Sequence, residues 1–223
     1  MAGEKINLDY ITEYLHEVLP ETTGYLAVME EFAKKNDVPI IHKEVKAFLE
    51  MICEITKPKR ILEVGTAIGY SSAVFALSCD DAKVTTIERE PDMTELAFEN
   101  HRKLQISDKI RIIEGDALEV LDCLKEKYDL IFIDAAKGYY NEFFAITRNL
   151  VKPGGIIICD NILYKGMTAT DELVKRRQKT IVYRMREFLH SICRDDEFTT
   201  SIIPIGDGIS VSYFKNKESF NET

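Results

Sequence analysis

Two apolar runs in this chain each finish on oxygen-bearing side chains. Residues 128–134, YDLIFID, end at Asp134, with Lys137 three positions further on; residues 154–161, GGIIICDN, end at Asp160 and Asn161. Two carboxylates and a carboxamide supply three oxygens and neither sulfur nor imidazole. That donor set suits a hard divalent cation such as Mg²⁺, with positions left open for water or substrate. A cation there lowers the pKa of a bound substrate hydroxyl and makes an oxygen nucleophile near neutral pH. Lys137 could take the proton. Singly, each residue has a plainer use: Asp160 as a helix or turn cap, Lys137 as a solvated lysine. Only the set argues for a site.

A second group lies earlier. In LEVGTAIGYSS (62–72), Gly65 and Gly69 form a turn after a short apolar run, Glu63 precedes them, and Glu88 ends the next run. A dinucleotide fingerprint would read GxGxxG and seat a pyrophosphate. Here the spacing is GxxxG behind a carboxylate, which suits a ligand with an amino group and no pyrophosphate. An acid ending the second strand commonly accepts hydrogen bonds from ribose hydroxyls. Asp116, in EGDAL (114–118), ends a third run. Together these suggest S-adenosylmethionine, with its amino-acid end at Glu63, its ribose at Glu88 and its adenine near 114–118. A glycine pair alone would mark only a tight strand-to-helix turn.

The elements that must position these groups follow from periodicity. Residues 8–56 are helical in pattern, with Leu8, Ile11, Tyr14, Leu15 and Val18, then Leu26, Met29 and Phe32, then Val45, Phe48, Leu49 and Ile52 at helical spacing; Pro39 separates the second helix from the third. From residue 60, short apolar runs (60–64, 83–88, 109–115, 128–134, 154–160) alternate with amphipathic stretches near 70–78, 92–105, 117–125, 139–150 and 170–192. Such alternation predicts parallel βαβ units with helices on both faces. FTTSIIPIGDGISVSYF (198–214) reads as a hairpin turning at IGDG, which adds an antiparallel strand and brings the total to seven. In such α/β sheets ligands bind beyond the carboxyl ends of the strands, where both polar groups fall.

Composition narrows the function class. At 223 residues and 45% hydrophobic, the chain is expected to form one domain, with a helical extension over 1–56 and the α/β core over 57–223. A net charge of −9 gives no general attraction to polyanions, so a nucleic-acid partner needs a local basic patch. Five dispersed cysteines with no CxxC pair fit reduced thiols. No apolar run approaches a bilayer span and MAGEKINLDY has no signal-peptide core, so a soluble, cytoplasmic protein is expected.

EVGTAIGYSS, IERE, GDAL, FIDAAKGYY, VKPGGIIICDNILYKG and PIGDGISVS occur in order over about residues 38–214. This set resembles the cation-dependent class I O-methyltransferases, the group of catechol and caffeoyl-CoA O-methyltransferases. The resemblance implies a Rossmann-like, mostly parallel seven-stranded sheet. It implies Asp134, Asp160 and Asn161 as metal ligands and Lys137 as the base, with Asp134 also beside the cofactor. Ile41, Glu63, Gly65, Ser71, Glu88, Asp116 and Ala117 would line the S-adenosylmethionine pocket. MEEFAKKNDVPI, DAAKGYYNEFF, DNILYKG and RRQKTIVYRMREF are most similar to the bacterial branch that methylates 5-hydroxyuridine at the tRNA wobble position. The AAKG that follows Asp134 lacks the bulky aromatic wall of the catechol enzymes, a departure that would admit a nucleotide or many small phenols.

An RNA partner also needs a basic surface. Lys175, Arg176, Arg177, Lys179, Arg184 and Arg186 fall on the predicted helix over 170–192, with Lys165 before it and Arg177 and Arg184 on one face. The plainer reading is a solvated helix face part-neutralised by Asp171, Glu172 and Glu187. Tyr164 and Tyr139 or Tyr140 are candidates to stack on a flipped base of the tRNA anticodon region. Surplus apolar positions in the N-terminal helices suggest a homodimer.

Overall fold

The structure, a computed structural model, describes residues 6–216. These fall into two compact units, Asn7–Cys123 and Leu124 onward. The first unit opens with helices α1 (Asp9–Val18), α2 (Gly24–Lys35) and α3 (Lys43–Thr56). It continues with β1 (Arg60–Val64), α4 (Tyr70–Ser78), β2 (Lys83–Glu88), α5 (Pro91–Lys103), β3 (Ile110–Glu114) and α6 (Ala117–Cys123). The second holds β4 (Tyr128–Ile133), a 3₁₀ turn (Lys137–Tyr139), α7 (Tyr140–Thr147), β5 (Val151–Cys159) and a second 3₁₀ turn (Arg176–Gln178). It ends with α8 (Lys179–Ile192), β6 (Phe198–Ile203) and β7 (Ile209–Phe214).

Seven strands make the sheet, in the order β3-β2-β1 over the first unit and β4-β5-β7-β6 over the second. β1 pairs parallel with β2, β2 with β3, and β4 with β5. β7 runs antiparallel to both β5 and β6, so the expected hairpin sets one strand against the direction of the rest. The α/β class and the antiparallel C-terminal strand are as the periodicity predicts.

Each unit has its own packing logic. In α3, Val45, Leu49 and Cys53 recur every four residues, are fully buried and face α4. In the second unit the rings of Tyr140, Phe144, Phe188 and Phe198 meet at 5.2–5.8 Å, mostly edge to face. They lock α7 against α8 and β6, and so fix the 3₁₀ turn that carries Lys137. No helix among the described residues is long and apolar enough to cross a membrane.

Three boundaries differ from expectation, the first being α7, which ends at Thr147 and not at 150. β5 begins at Val151, not 154, because it pairs with Tyr128 there and Lys152 Nζ reaches the Asp129 carboxylate at 2.6 Å. The helix predicted from 170 begins at Lys179. The Arg186 guanidinium gathers the carbonyls of Met167 and Thr168 and the carboxylate of Asp171, holding that segment in irregular turns. Lys175, Arg176 and Arg177 therefore precede α8, and Arg177 shares no helical face with Arg184.

Candidate active site

The polar groups at the C-terminal ends of the strands form one cluster in each unit. In the first, β1 delivers Glu63, fully buried, whose Oε2 accepts the Thr86 hydroxyl at 2.5 Å. Thr86 Oγ1 lies 2.5 Å from Thr66 Oγ1. The single Thr86 proton is committed to the carboxylate, so Thr66 donates to Thr86. The chain then makes a turn with φ positive at Gly65 (97°), Ala67 (46°) and Gly69 (78°). The left-handed region costs an alanine about 1 kcal/mol or more, so this turn needs support from outside.

Glu88 supplies part of it. Its Oε2 accepts the backbone N–H groups of Thr66 (3.2 Å) and Ala67 (2.8 Å), and its Oε1 those of Arg89 (2.9 Å) and Glu90 (3.0 Å). The acid expected to meet a ribose thus also organises the glycine turn. Ser71 is buried in the first turn of α4, and Ile41 is buried just before α3. Asp116 caps α6, with Oδ1 accepting the N–H of Leu118 at 2.9 Å, and Ala117 is the first residue of that helix. Thr66, Ala67 and Thr86 were not singled out by sequence; a threonine beside an acid at a strand end carries little signal alone.

Gly69 admits no side chain. A Cβ there would lie 2.4 Å from His101 Nε2 and 3.0 Å from Ala97 Cβ. Gly69→Ala is expected to lower unfolding free energy by about 3 kcal/mol, combining the left-handed penalty with overpacking. Urea denaturation measures it, and a loss below about 1 kcal/mol would show that His101 moves aside freely.

In the second unit, Asp134 and Asp160 directly follow the parallel strands β4 and β5, and the Asp160 N–H donates to Ile133 O at 2.9 Å. Adjacent strand ends thereby bring the two carboxylates together. Asp160 is fully buried; its Oδ1 accepts the Asn161 N–H at 2.6 Å. Its Oδ2 has no hydrogen-bond partner among the described residues. Burial first, then the charge of Asp134, pushes the Asp160 carboxyl up to about 8, against the opposing pull of the Asn161 N–H and Lys137. Asn161 takes a left-handed backbone (φ 56°), and its Oδ1 accepts the Lys137 ammonium at 2.7 Å. Lys137 Nζ also lies 5.9 Å from the Tyr164 ring centroid.

This geometry fits a hard cation. A buried carboxyl oxygen with no donor among the described residues, a second acid beside it and a carboxamide oxygen gather hard oxygen ligands in one place, with the Lys137 ammonium opposing their charge. Among the described residues no three His, Cys, Asp or Glu side chains cluster as a metal site; the set here is two acids and an amide.

Of the alternatives Tyr139 and Tyr140, the structure leaves only the first able to meet a base. Tyr140 is buried and donates its hydroxyl to Asp160 O at 2.8 Å, so it braces the strand end and offers no face to a base. Tyr139 is about half exposed, with the Arg184 guanidinium 5.9 Å from its ring centroid. Arg184 pairs with Glu142 and Arg186 with Asp171, so both serve the fold. Lys165, Arg176, Arg177 and Lys179 are exposed.

The family model described as O-methyltransferase matches residues 16–214. A caffeoyl-CoA O-methyltransferase of Mesembryanthemum crystallinum is 30% identical over 217 residues, covering 90% of this chain and 85% of that protein. A Staphylococcus aureus structure, provisionally named a caffeoyl-CoA O-methyltransferase, is 36% identical with a TM-score of 0.87, covering 92% of this chain and 100% of that one. A Bacillus cereus O-methyltransferase in complex with SAH shares the fold at 24% identity and a TM-score of 0.81, over 92% of this chain and 97% of its own. With a family match over most of its length and a relative of this identity and coverage, the chain belongs to the O-methyltransferase family.

Proposed function

We propose that this protein transfers the methyl group of S-adenosylmethionine to a hydroxyl flanked by a second oxygen, with Mg²⁺ or another hard divalent cation. We take its acceptor to be 5-hydroxyuridine at the tRNA wobble position, giving 5-methoxyuridine. The observation that carries the chemistry is the buried Asp160 carboxylate, with one oxygen undonated, beside Asp134 and Asn161. A cation bound there would lower the pKa of an acceptor hydroxyl. Asp134, Asp160 and Asn161 would hold it, and Lys137, once it has given a proton to solvent and stands as the neutral amine, would receive the hydroxyl proton. The 5-hydroxyl and 4-carbonyl of the modified uracil form a vicinal oxygen pair, as the two hydroxyls of a catechol do.

The donor follows from Glu63, the GxxxG turn and Glu88, which suit an amino group and a ribose without a pyrophosphate. The SAH bound to the Bacillus cereus relative supports the same choice. For RNA, the support is the exposed Lys165, Arg176, Arg177 and Lys179, none of which forms an ion pair among the described residues. Exposed Tyr10, Tyr14 and Val18 on α1 support a homodimer through the N-terminal helices. A second reading, a small catechol-like or phenolic acceptor, is favoured by relatives named caffeoyl-CoA O-methyltransferases.

The test incubates the protein with S-adenosylmethionine and MgCl₂, offering tRNA that carries 5-hydroxyuridine or, separately, caffeoyl-CoA. Mass spectrometry is expected to find 5-methoxyuridine in the tRNA, lost with EDTA and restored by excess MgCl₂. A methyl group on caffeoyl-CoA and none on tRNA would replace the first acceptor with the second. Transfer indifferent to EDTA would remove the cation.

A further inference from the structure

All four residues between Gly65 and Tyr70 are tied to groups outside their own turn. The N–H groups of Thr66 and Ala67 go to Glu88. The next two carbonyls go to α5: Asn100 Nδ2 donates to Ile68 O at 2.9 Å, and His101 Nε2 lies 3.1 Å from Gly69 O. Asn100 and His101 are both buried. Their partners extend the clamp in two directions. Tyr25 on α2 donates its hydroxyl to Asn100 Oδ1 at 3.0 Å, and Ser72 Oγ on α4 lies 3.0 Å from His101 Nε2.

The geometry points to Asn100 and His101 as positioning residues for the methyl donor: they hold the carbonyl side of the glycine turn while Glu88 holds its N–H side. This rests on the donor reading above. A turn with three left-handed residues in five does not order itself at no cost, and a donor can bind only molecules in which it is ordered. Loss of Asn100 takes from the buried Ile68 carbonyl its side-chain donor, whereas loss of His101 leaves Gly69 O with the Ala73 N–H at 3.2 Å alone; each lowers the ordered fraction, the first by more. Apparent donor affinity falls by that fraction, whereas turnover of the saturated enzyme does not, because bound donor restores the turn.

The chemistry of His101 agrees. A carbonyl only accepts, so the contact with Gly69 O places a proton on Nε2. Burial pushes the imidazole down to about 4, which leaves it neutral at physiological pH, so that its contact with Gly69 O carries no charge that pH would switch.

Isothermal titration with S-adenosylhomocysteine, below each variant's unfolding temperature, tests the assignment alongside steady-state kinetics. Asn100→Ala is expected to raise the donor Kd about tenfold and His101→Ala about threefold, with kcat at saturating donor within about twofold of the original. Tyr25→Phe, which loses only the hydroxyl that orients Asn100, is expected to raise it about threefold. His101→Gln, whose amide can reach the same carbonyl, should recover part of the loss. Folded variants with unchanged donor Kd, or with kcat reduced and Kd unmoved, would overturn the assignment. Should either alanine variant fail to fold, Tyr25→Phe decides it by the same criterion. If the unaltered protein does not bind S-adenosylhomocysteine, the donor reading itself fails and this assignment with it.

Discussion

Asp160→Asn is expected to resist unfolding better than the unaltered protein in metal-free buffer while losing methyl transfer by about a thousandfold or more. The two effects have one cause. Asp160 is buried, one of its oxygens has no hydrogen-bond partner among the described residues, and the charge of Asp134 opposes its ionisation. A buried polar group left unsatisfied costs about 1–3 kcal/mol, and more when charged. An asparagine keeps the oxygen that accepts the Asn161 N–H and is neutral without taking up a proton, as a carboxyl pushed up to about 8 must do on folding near neutral pH. A gain of about 1–3 kcal/mol in urea-induced unfolding is the expected reading. The same exchange removes a charged ligand from the cation site, and the several kcal/mol of transition-state stabilisation assigned to that site correspond to about a thousandfold or more in rate. Donor affinity is expected to stay unchanged, because the donor groups lie on β1, β2 and the glycine turn. Adding MgCl₂ should stabilise the original protein and leave the variant where it was. A variant that is both less stable and still active would make Asp160 a structural cap.

Some of this was legible from residue order alone because it rests on local rules. Alternation of apolar runs with helical stretches reports βαβ units wherever strands are buried on both faces, and IGDG marks a hairpin whatever surrounds it. The acids ending the apolar runs could be placed at strand tips because strand ends are where an apolar run stops. Distant contacts defeated the same reasoning. The segment 170–178 has enough helical character to extend α8, and only Arg186, reaching back to Thr168 and Asp171, shows why it does not. Tyr139 and Tyr140 are indistinguishable as neighbours in a sequence, yet one lies partly in solvent and the other braces Asp160 from within the core. Asn100 and His101 act on Ile68 and Gly69, each 32 residues away, across a packing of α5 on the turn that no local pattern encodes.

Lys137→Arg is expected to separate two duties that Lys137→Met would remove together. The ammonium donates to Asn161 Oδ1 at 2.7 Å and its charge offsets the Asp160–Asp134 pair, so it compensates the acids whatever else it does. Methionine deletes the charge, so stability and turnover should both fall. Arginine keeps a permanent charge and N–H donors for Asn161 but cannot take up a proton. If Lys137 gives its own proton to solvent and then, as the neutral amine, receives the acceptor's, Lys137→Arg should unfold within about 0.5 kcal/mol of the original and lose about 10²-fold or more in kcat, the usual contribution of a positioned base. The KM for the acceptor should move little, since the oxygen ligands that hold it are untouched. The 3₁₀ turn that presents residue 137 is fixed by the buried rings of Tyr140, Phe144 and Phe188, so the exchange should not displace the backbone. If the arginine variant keeps its turnover, charge compensation is the whole role of Lys137, and the hydroxyl proton leaves to solvent by another route.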